Sequence, residues 1–295
     1  MGKFQYFLGC PIWANKEWVG ELFSQSAKPK DFLQQYSQVF NTVEGNTTFY
    51  GLPKAETVIK WKDDTPPDFK FSFKFPQIIS HTRMLVNCGA ETRDFFERLA
   101  PLGERLGVFF LQLPPSFNKS ALDVLEKYLS GLPDEFQYAV EVRHLDFFDE
   151  GDTEKRYNDM LNKHQINRVI FDTSTLHDIQ SSASDIIAAQ RKKPKMPSRF
   201  TVTADEPLIR YVGFNEAFPN ETRLAEIADI VADWLQQNKT PYVFIHAPND
   251  FYAPQLCRKF HEILSAGLPE RSISPMPEWP SESKDNSGQL NLFDI

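Results

Sequence analysis

The chain has 295 residues, of which 41% are hydrophobic and 24% charged, and carries a formal net charge of -8 at pH 7. This composition describes a globular protein with enough apolar material for one large core, and the acidic balance excludes a protein that coats nucleic acid through clustered Lys and Arg. Cys10, Cys88 and Cys257 lie far apart and in no C-x-x-C arrangement, which excludes a disulfide framework and a zinc ribbon and suits a reducing cytoplasm.

The N-terminus runs from Met1 straight into an apolar stretch with no signal-peptide core, and no segment approaches the ~20 apolar residues of a membrane span. A cytoplasmic protein that does not enter the membrane is expected. Phe4 to Cys10 reads as a first strand, followed by a loop with Trp13 and Trp18 and a helix over Asp31 to Phe40. In Val43 to Pro53, Glu44, Asn46 and Thr48 recur at the two-residue period of a strand and so share one face; Gly51 and Pro53 stop it, and Lys54 to Asp64 is helical. Phe71, Phe73 and Phe75 alternate with Ser72 and Lys74 in the third strand. Glu91 to Leu106 is an amphipathic helix, Val108 to Leu113 a fourth strand, Leu122, Leu125 and Leu129 mark a helix, and Tyr138 to His144 is a fifth strand. A helix at Tyr157 to His164, a sixth strand at Val169 to Thr173 and a long irregular stretch with a short helix at Asp185 to Gln190 follow. Leu208 to Gly213, a long helix at Glu221 to Gln237, Tyr242 to His246 and a last helix after Pro254 complete the chain.

Eight short apolar strands, each followed by a helix, predict an α/β protein built as a single (β/α)8 TIM-type barrel over residues 1–269. An open doubly wound sheet would more naturally carry a glycine-rich phosphate turn, and no G-x-G-x-x-G or G-K-[ST] is present. Residues 270–295 are Pro/Ser-rich, lack either period and are expected to form a flexible tail.

Polar residues at the carboxyl ends of barrel strands can reach a substrate, whereas those at the amino ends cannot. Glu44, Lys74, Glu141 and Asp172 are therefore the candidate catalytic residues, and Asn46, Tyr50, Gln112, Arg143, Arg210 and His246 the candidate substrate-binding residues. An isolated residue of this kind is usually part of a buried ion pair, but so many near one end argue for a site. The two glutamates with Arg143 and Lys74 suit general acid/base chemistry on an anionic substrate held by Arg143, Arg210 and Lys74. Lys74, opposite a Phe-rich face, is alternatively an amine of depressed pKa suited to a Schiff base. Arg191, Lys192, Lys193, Lys195 and Arg199 form a basic run that grips phosphate if it faces the mouth, and is a solvated loop otherwise.

Several segments in one order carry a resemblance: Phe40 to Glu44 with Asn46 and Thr48-Phe49-Tyr50, Lys74-Phe75-Pro76 with Ser80-His81, Gln112 to Phe117, and Ala139 to His144. Together, from about Phe7 to Ala266, they resemble the YecE-like family, which bears the label domain of unknown function 72. The resemblance implies a TIM-type barrel similar to that of endonuclease IV, and hence a role on DNA. Gly9-Cys10-Pro11-Ile12-Trp13 departs from the glycine-threonine-serine-glycine-tryptophan run of many relatives. The metal chemistry of endonuclease IV needs gathered His and carboxylate ligands. This chain has six histidines, with His81, His144, His177 and His246 near strand ends but no H-E-x-x-H or H-x-H pair, so metal and cofactor content stay open.

Gln289-Leu290-Asn291-Leu292-Phe293 resembles the short peptide by which bacterial replication and repair proteins dock on the DNA polymerase sliding clamp. In that mode Leu290, Leu292 and Phe293 enter an apolar groove and Gln289 makes a side-chain hydrogen bond; the alternative is that the three apolar side chains fold back on the protein itself. Three functions are thus in play: an enzyme or accessory factor directed at nucleic acid or another phosphodiester, a carbohydrate hydrolase using Glu44 and Glu141, and a binding barrel without catalysis.

Overall fold

The computed structural model describes residues 4–283. Its eight strands are β1 (Phe7–Gly9), β2 (Thr42–Gly45), β3 (Lys70–Phe73), β4 (Phe109–Gln112), β5 (Tyr138–Glu141), β6 (Asn167–Asp172), β7 (Leu208–Val212) and β8 (Tyr242–His246). The helices are α1 (Phe32–Val39), α2 (Thr47–Tyr50), α3 (Ala55–Asp63), α4 (Gly89–Leu99), α5 (Leu122–Leu129), α6 (Asp152–Lys163), α7 (Ser174–Asp178), α8 (Ser184–Lys192), α9 (Glu221–Gln236) and α10 (Ala253–Gly267). The alternation of strand and helix holds. One local expectation does not: the strand carrying Glu44 ends at Gly45, and Thr47–Tyr50 is helical, so Thr48 reaches back to the carbonyls of Gly45 and Lys74 instead of lining a strand face.

The strands do not form the expected closed eight-stranded barrel. Six of them make one parallel sheet in the order β1-β8-β7-β6-β5-β4, and β2 and β3 pair separately as a parallel ribbon. The ribbon lies between the two edges of the larger sheet, touching β1 on one side and β4 on the other. Side chains explain why neither contact becomes a ladder. Between β1 and β2, the Asn41 amide takes the place of backbone, accepting from Leu8 N (2.9 Å) and donating to Tyr6 O (2.8 Å). A turn further on, the Tyr36 hydroxyl is inserted between Cys10 N, from which it accepts (2.8 Å), and Thr42 O, to which it donates (2.9 Å). Gly9 is required beside this insertion, because a Cβ there would sit 2.1 Å from Thr42 O. Between β3 and β4, the Ser72 hydroxyl donates to Val108 O, leaving only isolated bridges at Phe71–Leu106 and Lys74–Phe110.

Alternation along the strands sorts the core into two parts. Phe7, Val108, Phe110, Ala139, Val169, Leu208, Tyr242 and Phe244 meet on the concave face of the six-stranded sheet. The opposite parity packs against the helices: Phe109 against Phe95 and Phe96 of α4, and Val243 and Ile245 in the cluster with Leu224, Ile227 and Val231 of α9 and Leu256 and Phe260 of α10. Each such side chain contributes roughly 1.5–3 kcal/mol on burial.

Residues 270–283 are packed rather than free. Phe4 N donates to Ser272 O (2.7 Å), Ile273 and Trp279 are buried, and Arg258 of α10 both stacks on Trp279 and pairs with Glu282 (2.7 Å). Gln289, Leu290, Leu292 and Phe293 lie outside the described residues. Among the described residues, no helix is long and apolar enough to cross a membrane.

Candidate functional site

Above the apolar floor of the concave face, inward residues near the ends of several strands are polar. These are Glu44 on β2, Gln112 on β4, Glu141 on β5, Arg210 on β7 and His246 on β8, with Lys74 directly after β3. All are buried. A charge in such a place costs several kcal/mol unless it is paired, and the pairing is nearly complete. Arg210 lies at the centre, 5.1 Å above the Phe110 ring. Its Nε and Nη2 donate to the two oxygens of Glu44 (2.7 Å each), and its Nη1 donates to Glu141 Oε2. Glu44 further accepts from Asn46 Nδ2 (2.7 Å) and bonds His246 Nε2 (3.0 Å). Glu141 further accepts from Arg143 Nε (2.6 Å), whose guanidinium stacks on Phe171 at 4.6 Å.

Burial by itself would raise both carboxyl pKa values, but the neighbouring cations outweigh it. Arg210, helped by the hydrogen bond to His246, holds Glu44 well below the carboxylate range, and Arg143 and Arg210 bring Glu141 down to about 2. His246 moves the other way: burial takes it down to about 4, so near neutral pH it is an uncharged partner of Glu44. The core of the site is therefore two carboxylates balanced by two guanidiniums.

Lys74 stands beside that balanced core and has no carboxylate of its own. Its Nζ donates to Gln112 Oε1 (2.8 Å) and lies 3.9 Å from the Phe49 ring centroid, and among the described residues no acid comes within ion-pair distance. Burial, aided by Arg210, lowers its pKa from 10.5 to about 7. His81, half-buried and bonded to Ser80 Oγ (2.8 Å), is lowered to about 4 by burial and by Lys74 and Arg143. The terminal nitrogens of Arg143 make no hydrogen bond among the described residues. Lys74 and Arg143 thus form a corner with an excess of positive charge, beside a neutral His81 ring.

Two of the expected residues are not part of this cluster. Asp172 has the outward parity of β6, opposite to Phe171, and accepts from Arg223 Nε of α9 (2.6 Å) and Ser174 N (2.9 Å), so it is an ion pair between sheet and helix. Tyr50, at the end of α2 just after β2, is 83% exposed and bonds none of the site residues among the described residues. Of the other histidines considered as ligands, His144 caps Asp146 N and His177 Nε2 bonds Lys193 O (2.8 Å). Among the described residues no three His, Cys, Asp or Glu side chains gather as a metal site. Asn46 carries out a role the sequence did not specify: it ties Glu44 to Pro11 O (3.2 Å) in the first loop.

Matching this arrangement against known proteins gives one family. Residues 7–280 match the model described as "Protein of unknown function DUF72". The chain belongs to the DUF72 family. It is 39% identical over 277 residues to the UPF0759 protein YecE of Escherichia coli strain K12, covering 94% of this chain and 98% of that one. Crystal structures of DUF72 family proteins share the fold. The one from Thermotoga maritima MSB8 superposes with a TM-score of 0.67 at 24% identity, over 88% of this chain and 99% of that chain; the one from Enterococcus faecalis V583 gives 0.66 at 21%, over 91% and 100%. The DUF72 match extends past α10 through Trp279 and so includes the packed segment after residue 269.

Proposed function

We propose that this DUF72 protein is an acid–base enzyme acting on a phosphate-bearing substrate, with Lys74 as the proton-transfer group and Arg143 as the anion-binding group. The observation that carries this reading is the state of Lys74: a buried amine without a counter-ion, titrating at about 7, next to a guanidinium with unused donors. An amine in that range exchanges a proton near neutral pH, as catalytic acids and bases must. Glu44, Glu141 and Arg210 position the pair and fix the charge around it. The carbohydrate reading is less well supported, since a glycosidase needs one carboxylic acid kept protonated and both glutamates are held ionised.

Nucleic acid is the favoured source of the phosphate. Tyr50 and Phe218, 83% and 84% exposed, stand in the connections after β2 and β7, where rings can stack on bases beside a cationic mouth. The resemblance of Gln289 to Phe293 to a clamp-docking peptide supports the same setting, a tethered partner of the DNA polymerase sliding clamp. The test is a screen of purified protein, with metals assayed in parallel, against single-stranded, abasic and duplex oligonucleotides and sugar phosphates. Turnover or binding lost in Lys74→Met and Arg143→Ala is expected, and a hit indifferent to both substitutions would refute the assignment.

A further inference from the structure

The connection from β6 to β7 is long, and it does not stay outside the sheet. Ile186 and Ala189 of α8, together with Met196, pack on Phe171 and Val212, the last inward apolar residues of β6 and β7. The extended chain after α8 is held down at two points: Lys193 O bonds His177 Nε2 (2.8 Å), and Pro194 O accepts from Thr173 Oγ1 (3.0 Å) directly after β6. The loops are tied to each other as well, Asn215 Nδ2 donating to Asp185 Oδ2 (2.7 Å) and accepting through Oδ1 from Asn249 N (2.9 Å). The basic run is thereby divided. Lys195 pairs with Asp178 and Arg199 with Glu150 and Glu154 on the outside, while Lys193 is turned toward the charged cluster.

Lys193 is half-buried and lies within electrostatic reach of Glu44, Arg143, Arg210 and Asp250. Among the described residues its ammonium makes no ion pair and no hydrogen bond, whereas Lys195 and Arg199 are paired and Arg191 and Lys192 stand in solvent. Burial lowers its pKa to about 8, and raises that of the neighbouring Asp250. A half-buried amine, held by a pinned backbone and without an acceptor among the described residues, shares the properties of Lys74 beside the same charged cluster.

We propose that Lys193 forms a second anion-binding subsite at the same mouth, so that the ligand is a molecule with two separated anionic groups, one at Lys74 and Arg143 and the other at Lys193. The inference rests on the reading of Lys74 and Arg143 as an anion site and adds the requirement for a second charge. Two adjacent phosphates of a nucleotide chain satisfy it, as does a small bisphosphate. Linking the two anions makes the second contact intramolecular, so a doubly charged ligand gains over a singly charged one without any new surface.

The experiment compares methylphosphonate with linear alkane bisphosphonates of two to six carbons by titration calorimetry on the full chain. The expected result is that the best bisphosphonate binds wild type about tenfold or more tightly than methylphosphonate, and that Lys193→Met removes this advantage while changing methylphosphonate affinity by less than about twofold. Lys193→Arg should retain most of the gain, and Lys192→Met, at an exposed neighbour, all of it. Independently of any substitution, amine acetylation of wild type read by mass spectrometry should show Lys74 and Lys193 protected together at one bisphosphonate concentration. A bisphosphonate advantage unchanged in Lys193→Met, no advantage in wild type, or protection of Lys74 alone would overturn the second subsite and leave the first standing. If methylphosphonate affinity is unaffected by Lys74→Met and Arg143→Ala, or neither probe binds wild type, both readings fall.

Discussion

Replacing Arg210 with methionine removes the one side chain that bonds both buried glutamates. The consequence can be sized from Glu141, whose fall from 4.5 to about 2 in the folded protein corresponds to roughly 3 kcal/mol of stability at neutral pH. Breaking a buried pair by removing one partner costs ~3–5 kcal/mol, a large share of the ~5–15 kcal/mol that holds a typical domain together. Arg143 still serves Glu141, and Asn46 and His246 still serve Glu44, so the lower half of that range is expected. The sign with pH separates this from simple loss of packing. In wild type both carboxyl pKa values lie below their unfolded values, so the stability they contribute is present above about pH 4.5 and is lost as the pH falls toward 2. Without Arg210, burial is opposed by fewer cations and both pKa values rise from their wild-type positions, so the penalty is greatest at neutral pH and shrinks as acid protonates the carboxyls. Urea unfolding followed by tryptophan fluorescence at pH 7.5 and 4.5 measures both quantities. A deficit of the same size at the two pH values would refute the electrostatic account, and so would a variant as stable as wild type.

Lys74 should acetylate with an apparent pKa near 7, against 10.5 for an ordinary lysine, and Gln112→Leu, which removes its one hydrogen-bond acceptor, should lower that value further; competitive labelling read by mass spectrometry checks both. The His246 ring should remain neutral from pH 8 to pH 5 in NMR spectra. Because its folded pKa of about 4 lies below the unfolded 6.5, its contribution to stability is present above about pH 6.5 and is lost as the pH falls through 4. Trp279→Ala should cost about 2–4 kcal/mol, since the ring is buried and stacked by Arg258, and truncation after residue 269 should lower the melting temperature at least as much. Gly9→Ala should destabilise by about 2 kcal/mol or more, because the added methyl meets the backbone carbonyl of Thr42 and not a movable side chain; thermal unfolding reads it directly.

Strand positions were legible because most strands either alternate, as at Phe71, Phe73 and Phe75, or are short apolar runs bounded by Gly and Pro. The convergence of Glu44, Asn46, Lys74, Gln112, Glu141, Arg143, Arg210 and His246 followed from one rule, that they stand at the same ends of parallel strands. Closure of the sheet was not legible, since it turns on whether neighbouring backbones or the side chains of Asn41, Tyr36 and Ser72 supply the lateral hydrogen bonds, and pattern does not encode that choice. Asp172 was misplaced because β6 is buried on both faces and its sequence shows no alternation from which to read parity. Lys193 was indistinguishable from its basic neighbours, and only the pinning of the connection at His177 and Thr173 separates it from them. Residues 270–283 read as a tail because Ile273 and Trp279 are single apolar residues in Pro/Ser-rich surroundings, although a lone buried tryptophan is enough to hold a strap.

The pairing of β1 with β8 has a consequence for how the chain acquires its structure. Phe7 is aligned with Tyr242 and Gly9 with Phe244, and Phe4 bonds Ser272, so the first strand takes its ladder from nearly the last segment to be synthesised. On the other flank it meets the side-chain insertions from Asn41 and Tyr36 and, just past its end, a single backbone bond from Glu44 N to Cys10 O (3.1 Å). β4 to β7, in contrast, are neighbours both in sequence and in space and can assemble as soon as each crossover helix is made. The N-terminal strand and the Trp18 and Phe23 loop behind it must therefore wait with their apolar faces unsatisfied until β8 and α10 emerge. Slow, long-range closure of this kind exposes a chain to aggregation and to chaperone capture, so the β1–β8 junction is where folding of this chain is expected to be slowest.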